Sequence, residues 1–201
     1  MSPSLIALLV LLALAALLGY LLWLARRLDR LHRRVEDARA MLDSQLVRRA
    51  GAAGDLATSQ ALDPASSLLL GEASARALWA GQERDAMRVL QPDAWSRLAD
   101  KDSHVEQAES ELSQALRATL DMQDADLADP HWWALPPLAA AAQRAQMARR
   151  FHNSAVLDAQ VVRRKRLVRA ARLAGSAPEP LTVEIDDEPP PLLADPRLLS
   201  Q

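Results

Sequence analysis

The first twenty-four residues contain an apolar stretch that constrains this chain more than any other feature. Residues 5–24 carry no charge and no proline, and all of them are aliphatic except Gly19, Tyr20 and Trp23. A helix needs about 20 apolar residues to cross the hydrocarbon core of a bilayer. The stretch therefore predicts a single transmembrane helix, with residues 1–25 as a membrane anchor.

The flanks of this stretch predict its orientation. Arginines follow it closely, whereas residues 1–4 have no basic side chain. Positive charge stays on the cytoplasmic side, and aromatic rings favour the headgroup layer. Since the excess of alanine and arginine is typical of a GC-rich bacterial genome, we expect the inner membrane, with the N-terminus outside and the remaining chain in the cytoplasm. The predicted membrane-interface residues are Tyr20, Trp23, Arg26, Arg27 and Arg30.

A cleaved signal peptide is the alternative interpretation of the same stretch. Such peptides need a basic start, a shorter apolar core and a small-x-small cleavage site. Residues 1–4 are uncharged, and Trp23, Leu24 and Ala25 provide no such site. The pattern favours an uncleaved anchor.

The remaining chain predicts an all-α fold. It has no cysteine, one phenylalanine and few β-branched residues, while alanine, leucine, arginine, glutamate and glutamine dominate. Apolar residues at positions 28, 31, 35, 38 and 42 form a seam that continues the first helix beyond the membrane. Proline-containing breaks then predict helices over 65–90, 93–120 and 136–173.

These helices predict an antiparallel, up-down four-helix bundle over residues 26–175. A three-helix domain, with residues 65–120 irregular in part, is the alternative. Residues 176–201 are rich in proline and acidic side chains, and we expect a disordered C-terminal tail there. The Thr182–Ile185 stretch is the one place where apolar and polar residues alternate.

No constellation in the sequence indicates catalysis. The histidines His32, His104, His131 and His152 are scattered, and phosphate-binding, dinucleotide-binding and nucleophile-elbow motifs are missing. We therefore predict a protein that is not an enzyme and that has no cofactor, metal or small-molecule substrate. The basic run between Arg163 and Arg172 indicates membrane lipid headgroups rather than nucleic acid.

Aromatic residues mark the expected core. The sequence His131-Trp132-Trp133 predicts a plug over the end of the bundle, with an exposed anchor for a partner as the alternative. Trp79 and Trp95 are expected in the core of the second and third helices. Phe151 lies on a face of small residues and is also expected to be buried.

Two segments resemble motifs of the LemA family. Residues 148–156, Ala-Arg-Arg-Phe-His-Asn-Ser-Ala-Val, closely resemble its last-helix signature, and residues 42–49, Leu-Asp-Ser-Gln-Leu-Val-Arg-Arg, resemble its first-helix motif. The resemblance spans most of residues 1–173 and implies one N-terminal membrane helix with a cytoplasmic helical bundle. Residues 50–54 and His152 depart from the family pattern. The family has no established general activity, so the resemblance implies architecture rather than mechanism.

A second stripe on the last helix is the candidate binding surface. A neighbouring helix or the Thr182–Ile185 segment could cover it, or it docks a second protein or a second copy of the chain. We expect a scaffold or adaptor for another membrane or envelope protein, with a ligand- or signal-sensing module acting through bundle rearrangement as the alternative. The candidate partner-binding residues are Arg150, Asn153, Ser154, Leu157, Val161 and Val168.

The flanking charges generate a prediction about topology. Reporter fusions at both ends of the chain should place the N-terminus outside the cytoplasm and the C-terminus inside, without cleavage. Alkaline phosphatase fused to the C-terminus should therefore be inactive. An active C-terminal fusion, or a mature chain that starts near Arg26, would contradict this topology.

Overall fold

The computed structural model describes residues 3–90, 95–120, 130–171 and 179–199. These residues form helices and no strand, which confirms the prediction of an all-helical chain. Two short 3₁₀ turns lie at Pro130–Ala134 and Pro191–Ala194. The helices are α1 (Pro3–Thr58), α2 (Pro64–Leu90), α3 (Trp95–Leu120), α4 (Leu135–Arg163), α5 (Arg166–Ala170) and α6 (Pro196–Leu199).

Helix α1 is unbroken over 56 residues and passes through both Gly51 and Gly54. In the part of the chain that the structure describes, α1 is the one helix long and apolar enough to cross a membrane. Its most apolar window has a mean hydropathy of 2.9, and none of that window is buried. The turn into α2 is built by Asp63, whose Oδ1 accepts the backbone N–H groups of Ala65 and Ser66 at 2.9 and 3.1 Å.

The chain divides into two compact units. The first unit contains Met1–Ala38 and Asn153–Thr182, and the second contains Arg39–His152 and Val183–Gln201. Helices α1 and α4 therefore contribute residues to both units. The predicted up-down four-helix bundle is not confirmed by this arrangement and stays a prediction.

The core of the first unit lies along the seam predicted in α1. Leu24 and Leu28 pack with Val162 and Val168, and neither leucine is more than 2% exposed. A second cluster joins Val35 to alanines and Val156 of α4. The small side chains of Ala155 and Ala159, together with Val156, leave room for the facing helix to approach. The spacing of the seam thus predicted the buried face of α1.

The core of the second unit is larger and includes Trp132, which is 7% exposed. Its burial agrees with the predicted plug, although the neighbouring Trp133 is 58% exposed. Trp79 was expected in the core, and that prediction is wrong because it is 72% exposed. The side chain of Trp95 lies outside the described residues. The main cluster is formed by apolar residues of α1, α2, α3 and α4, with Leu193 and Leu198 from the C-terminal segment.

The prediction that Phe151 is buried is also wrong. Its side chain is 70% exposed, whereas the adjacent His152 is 2% exposed. Buried positions on α4 follow helical steps of three and four residues, and the step after Ala148 is four residues long. Position 152 therefore faces inward, and the more apolar residue beside it does not.

The C-terminal segment corrects the prediction of a disordered tail. Residues 179–190 have no regular secondary structure, and the alternation noted in the sequence places Val183 and Ile185 inward, where both join a cluster of the second unit. Asp187 accepts two hydrogen bonds from Arg149, at 2.6 and 2.9 Å, and Asp186 pairs with Arg117. The composition of the segment did not predict this packing, because each carboxylate pairs with an arginine that is distant in sequence.

The hydrogen bond from Arg117 lowers the pKa of Asp186 below its usual value of 3.8. A lowered pKa means that the carboxylate binds protons less readily in the folded chain than in the unfolded one. This pair therefore stabilises the docked segment above the unfolded pKa, and its contribution is lost as pH falls below 3.8 through the folded pKa.

The docked segment generates a prediction about stability. Ile185→Ala should lower the free energy of unfolding by about 2–5 kcal/mol, because a buried isoleucine leaves a cavity. Leu181→Ala is the matched control in the same segment. Leu181 is 68% exposed, so its replacement should change stability by less than about 0.5 kcal/mol. Urea unfolding of the full chain in detergent, followed by circular dichroism, measures both; equal effects would contradict the docking.

Candidate functional site

Two aliphatic side chains on α4 of the first unit are exposed side by side. Leu157 is 55% exposed and Val161 is 65% exposed, and they lie one helical turn apart. Ser154 precedes them on the same face and is also exposed. We call Ser154, Leu157 and Val161 the α4 strip. Three of the six predicted partner-binding residues are therefore brought together on one surface.

The other three predicted partner-binding residues are placed differently. Asn153 is half-buried, and Arg150 is exposed but belongs to the second unit. Val168 is buried at 1% exposure in the cluster with Leu24, so its assignment to the binding surface is wrong. The helical wheel assumed one helix as far as residue 173. Helix α4 in fact ends at Arg163, and α5 turns Val168 inward.

Neither of the covers considered for the strip is found in the described ranges. Val183 and Ile185, from the segment that could have covered it, are buried in the second unit instead. Gln160 Nε2 donates to the carbonyl oxygen of Pro180 at 2.9 Å, which places the chain beside α4. Leu181, the next residue, is 68% exposed and adds apolar surface beside α4.

The predicted membrane-interface residues also lie in the first unit. The ring centroids of Tyr20 and Trp23 are 5.9 Å apart, and Arg27 Cζ lies 5.5 Å from the Trp23 centroid. All three side chains are exposed, as are Arg26 and Arg30. This arrangement combines apolar rings with cations at the end of the apolar stretch, as expected of side chains that lie in a headgroup layer.

The second unit contains a buried ionic network that sequence reasoning missed. Arg49 Nη2 donates to Glu109 Oε2 at 2.6 Å and Arg49 Nη1 to Ser113 Oγ at 3.0 Å. Asp43 Oδ1 accepts from Arg39 at 3.1 Å and from Arg84 at 2.9 Å. The signal was present in the spacing, because positions 42, 46, 49, 53 and 56 form one apolar series with an arginine in the middle.

Burial sets the electrostatics of this network. Desolvation raises the pKa of the Glu109 carboxyl, against the opposing effect of Arg49. Burial disfavours the charge on Arg84, but the carboxylates of Asp43 and Asp85 outweigh it and its pKa is raised. Arg49 with Glu109, and Arg84 with Asp43 and Asp85, form direct hydrogen bonds in place of the lost hydration. Such bonds are the condition for keeping charges in a core.

A small cavity adjoins this network between α1, α2 and α3. Asp43, Arg84 and Glu109 line it together with apolar side chains, and its volume is about 10 Å³. That space is about enough for one water molecule. Among the residues that the structure describes, no group of three or more histidine or acidic side chains is placed to hold a metal ion.

Comparisons with known proteins give no indication of the function of this chain. No model of a protein family matches the chain, and no curated protein or solved structure is significantly similar to it. The resemblance to the LemA family therefore stays a prediction. In the structure the residues of its first-helix motif have a packing role, since Asp43 and Arg49 belong to the buried network.

The buried pair generates a prediction about stability. Glu109→Gln should cost about 3–5 kcal/mol of unfolding free energy, because it leaves the Arg49 charge buried without a counter-charge. The double variant Arg49→Leu with Glu109→Leu should cost less than Glu109→Gln, because it leaves no unpaired charge in the core. Urea unfolding of the full chain in detergent measures both variants.

Glu83→Gln is the matched control for this pair. Glu83 bonds Lys101 at the same 2.6 Å, but its side chain is 60% exposed, so its loss should not change stability measurably. A Glu109→Gln variant as stable as Glu83→Gln would show that the buried pair does not constrain the fold.

Proposed function

We propose that this protein is a membrane-anchored adaptor that binds a second membrane protein through the α4 strip. The observation that carries the proposal is the joint exposure of Leu157 and Val161 on the part of α4 that belongs to the first unit. Binding surfaces are rich in apolar side chains that exclude water at their centre and have polar groups at the rim. Here Ser154 and Asp158 supply the polar rim, and Asp158 lies 3.6 Å from Arg34.

The position of the strip along α4 supports a partner that is itself in the membrane. Val161 is followed by Val162, which packs with Leu24 and Leu28 at the end of the apolar stretch of α1. A partner that covers Val161 would therefore lie within about one helical turn of the bilayer surface. A membrane protein satisfies this condition without a further targeting device.

The anchor is the second element of the proposal. The apolar window of α1 supports a single-pass helix in the bacterial inner membrane, and the arginines after it support a cytoplasmic location of the remaining chain. Tyr20 and Trp23 then lie in the headgroup layer, with membrane lipid as a further partner. Tethering to the same bilayer raises the effective concentration of the partner and makes a small apolar strip sufficient.

The alternative, a ligand-sensing module, has weaker support. A sensor that rearranges its helices needs an internal site for its ligand, and ligand pockets usually have volumes of about 300–1,000 Å³. The cavity beside Glu109 and Arg84 has a volume of about 10 Å³.

A site-specific cross-link tests the adaptor proposal. With benzoyl-phenylalanine in place of Ser154 or Leu157, we expect light-dependent adducts with one membrane protein in intact cells. Leu157→Glu with Val161→Glu should weaken binding by about thirtyfold or more and remove the adduct formed from position 154, because charges replace the apolar contact. Folding should persist, since both side chains are exposed.

Two controls separate binding from folding. Leu68→Glu with Leu69→Glu places the same charges on another exposed apolar pair and should keep the adduct. Val156→Glu introduces a charge at a fully buried position of α4 and should abolish the cooperative melt. A strip variant that folds and keeps its adduct would sink the proposal, as would an adduct of twice the chain's own mass, which would identify the occupant as a second copy.

A further inference from the structure

Helix α5 is held against α1 at the level where the apolar stretch ends. Val168 of α5 is 1% exposed and packs with Leu24 and Leu28, which are 0% and 2% exposed. Helix α4 ends at Arg163, and Lys165 lies in an extended conformation that redirects the chain into α5. The contact therefore places a second basic segment beside the arginines that follow the apolar stretch of α1.

The cations at this level lie on both sides of α1. Leu24 and Leu28 face α5, whereas Arg26 and Arg30, each two residues further along, point to the opposite side of the helix. Lys165, Arg166 and Arg169 lie on the α5 side and are exposed. We call these five cations, Arg26, Arg30, Lys165, Arg166 and Arg169, the basic collar.

The collar is without counter-charges among the residues that the structure describes. None of its five members forms an ion pair there, although neighbouring arginines do: Arg33 pairs with Asp29, and Arg34 lies 3.6 Å from Asp158. Five unpaired cations at one level repel each other, and an external anion would relieve that repulsion. Leu167 lies among them and is 45% exposed, so the same surface also offers an aliphatic side chain.

We infer that the basic collar binds the headgroups of anionic lipids, with Leu167 inserted at the boundary of the acyl chains. A planar anionic surface surrounds a helix that crosses it and meets cations on every side, whereas a nucleic acid or a free phosphate would meet one side. Basic residues beside an apolar segment are the pattern of anionic lipid recognition. The inference rests on the membrane anchor of the proposed function.

The absence of cysteine from the chain makes a direct test possible. Single Leu167→Cys, Leu14→Cys and Ser154→Cys variants of the full chain each take one nitroxide spin label. They are reconstituted in nanodiscs of phosphatidylcholine with an increasing fraction of phosphatidylglycerol. The relative accessibility of each label to oxygen and to a water-soluble nickel complex reports its depth in the bilayer.

The three labels have different expected behaviour. The label at position 167 should move from water to headgroup depth as the phosphatidylglycerol fraction rises. The label at position 154 should stay in water, because it lies about 14 Å before Arg163 on α4, away from the end of the helix that packs at the level of Leu24. The label at position 14 should report acyl depth in every disc. If that label is in water, the anchor of the proposed function fails, whereas failure at position 167 alone overturns only the lipid inference.

Charge removal tests the role of the collar. Arg166→Gln with Arg169→Gln should weaken association with the anionic headgroups by about fivefold for each charge removed, and should therefore raise the phosphatidylglycerol fraction needed for half of the shift. Arg48→Gln with Arg144→Gln removes the same charge from exposed arginines elsewhere and should leave the shift unchanged. A collar variant that behaves like this control would overturn the inference.

Two further probes separate the lipid surface from other anions. Inorganic phosphate added to discs of pure phosphatidylcholine should leave the label at position 167 in water, and a labelled single-stranded oligonucleotide should not bind those discs. A shift with phosphate, tight binding of the oligonucleotide, or equal depth of the label in neutral and anionic discs would each overturn the inference.

Discussion

Backbone amides and carbonyls inside a bilayer have no water to bond, so a segment that crosses it must satisfy them within its own helix. Helix α1, which we propose to cross the membrane, keeps this internal bonding far beyond the apolar stretch, without a break from Pro3 to Thr58. Each of the four apolar clusters in the described ranges contains side chains of α1, from Leu24 at one end to Leu56 at the other. The packing of both units therefore depends on the register of this one helix.

Register is a real problem for such a helix, because a seam of alanine and leucine packs almost equally well after a slide of one turn. Charged side chains on the seam remove that freedom. Arg49 reaches Glu109 and Ser113 in one register, and in any other register it would bury an unpaired charge. The network therefore selects one register of α1 rather than adding much net stability.

The sequence predicted most of the helices, but it did not predict where α4 ends or which side chains distant in sequence pair with each other. The start of α2 was predicted within one residue because Asp63-Pro64 marks it in the chain. The end of α4 was not predicted, because no proline or glycine occurs at Arg164 and Lys165. The turn at these residues accompanies the contact of Val168 with Leu24, and two residues so far apart in sequence meet only in the folded chain.

The candidate site shows the same limit. Leu157 and Val161 were found from helical spacing alone, because both lie within one regular helix. Val168 was assigned to the same surface by extending that helix too far. The docking of the C-terminal segment was missed for a related reason, since Asp187 and Arg149 are distant in sequence and composition says nothing of their pairing.

The first compact unit has a consequence for how the chain is made. Its two parts are far apart in sequence, and about 130 residues separate Leu28 from Val162, with which it packs. At typical rates of protein synthesis this interval takes roughly 7–26 s. During that time the apolar stretch has already left the ribosome, while the leucines at its end have no partner. The nascent chain therefore passes through a stage in which Leu24 and Leu28 are available to lipid or to insertion factors, and the translation of α5 ends that stage.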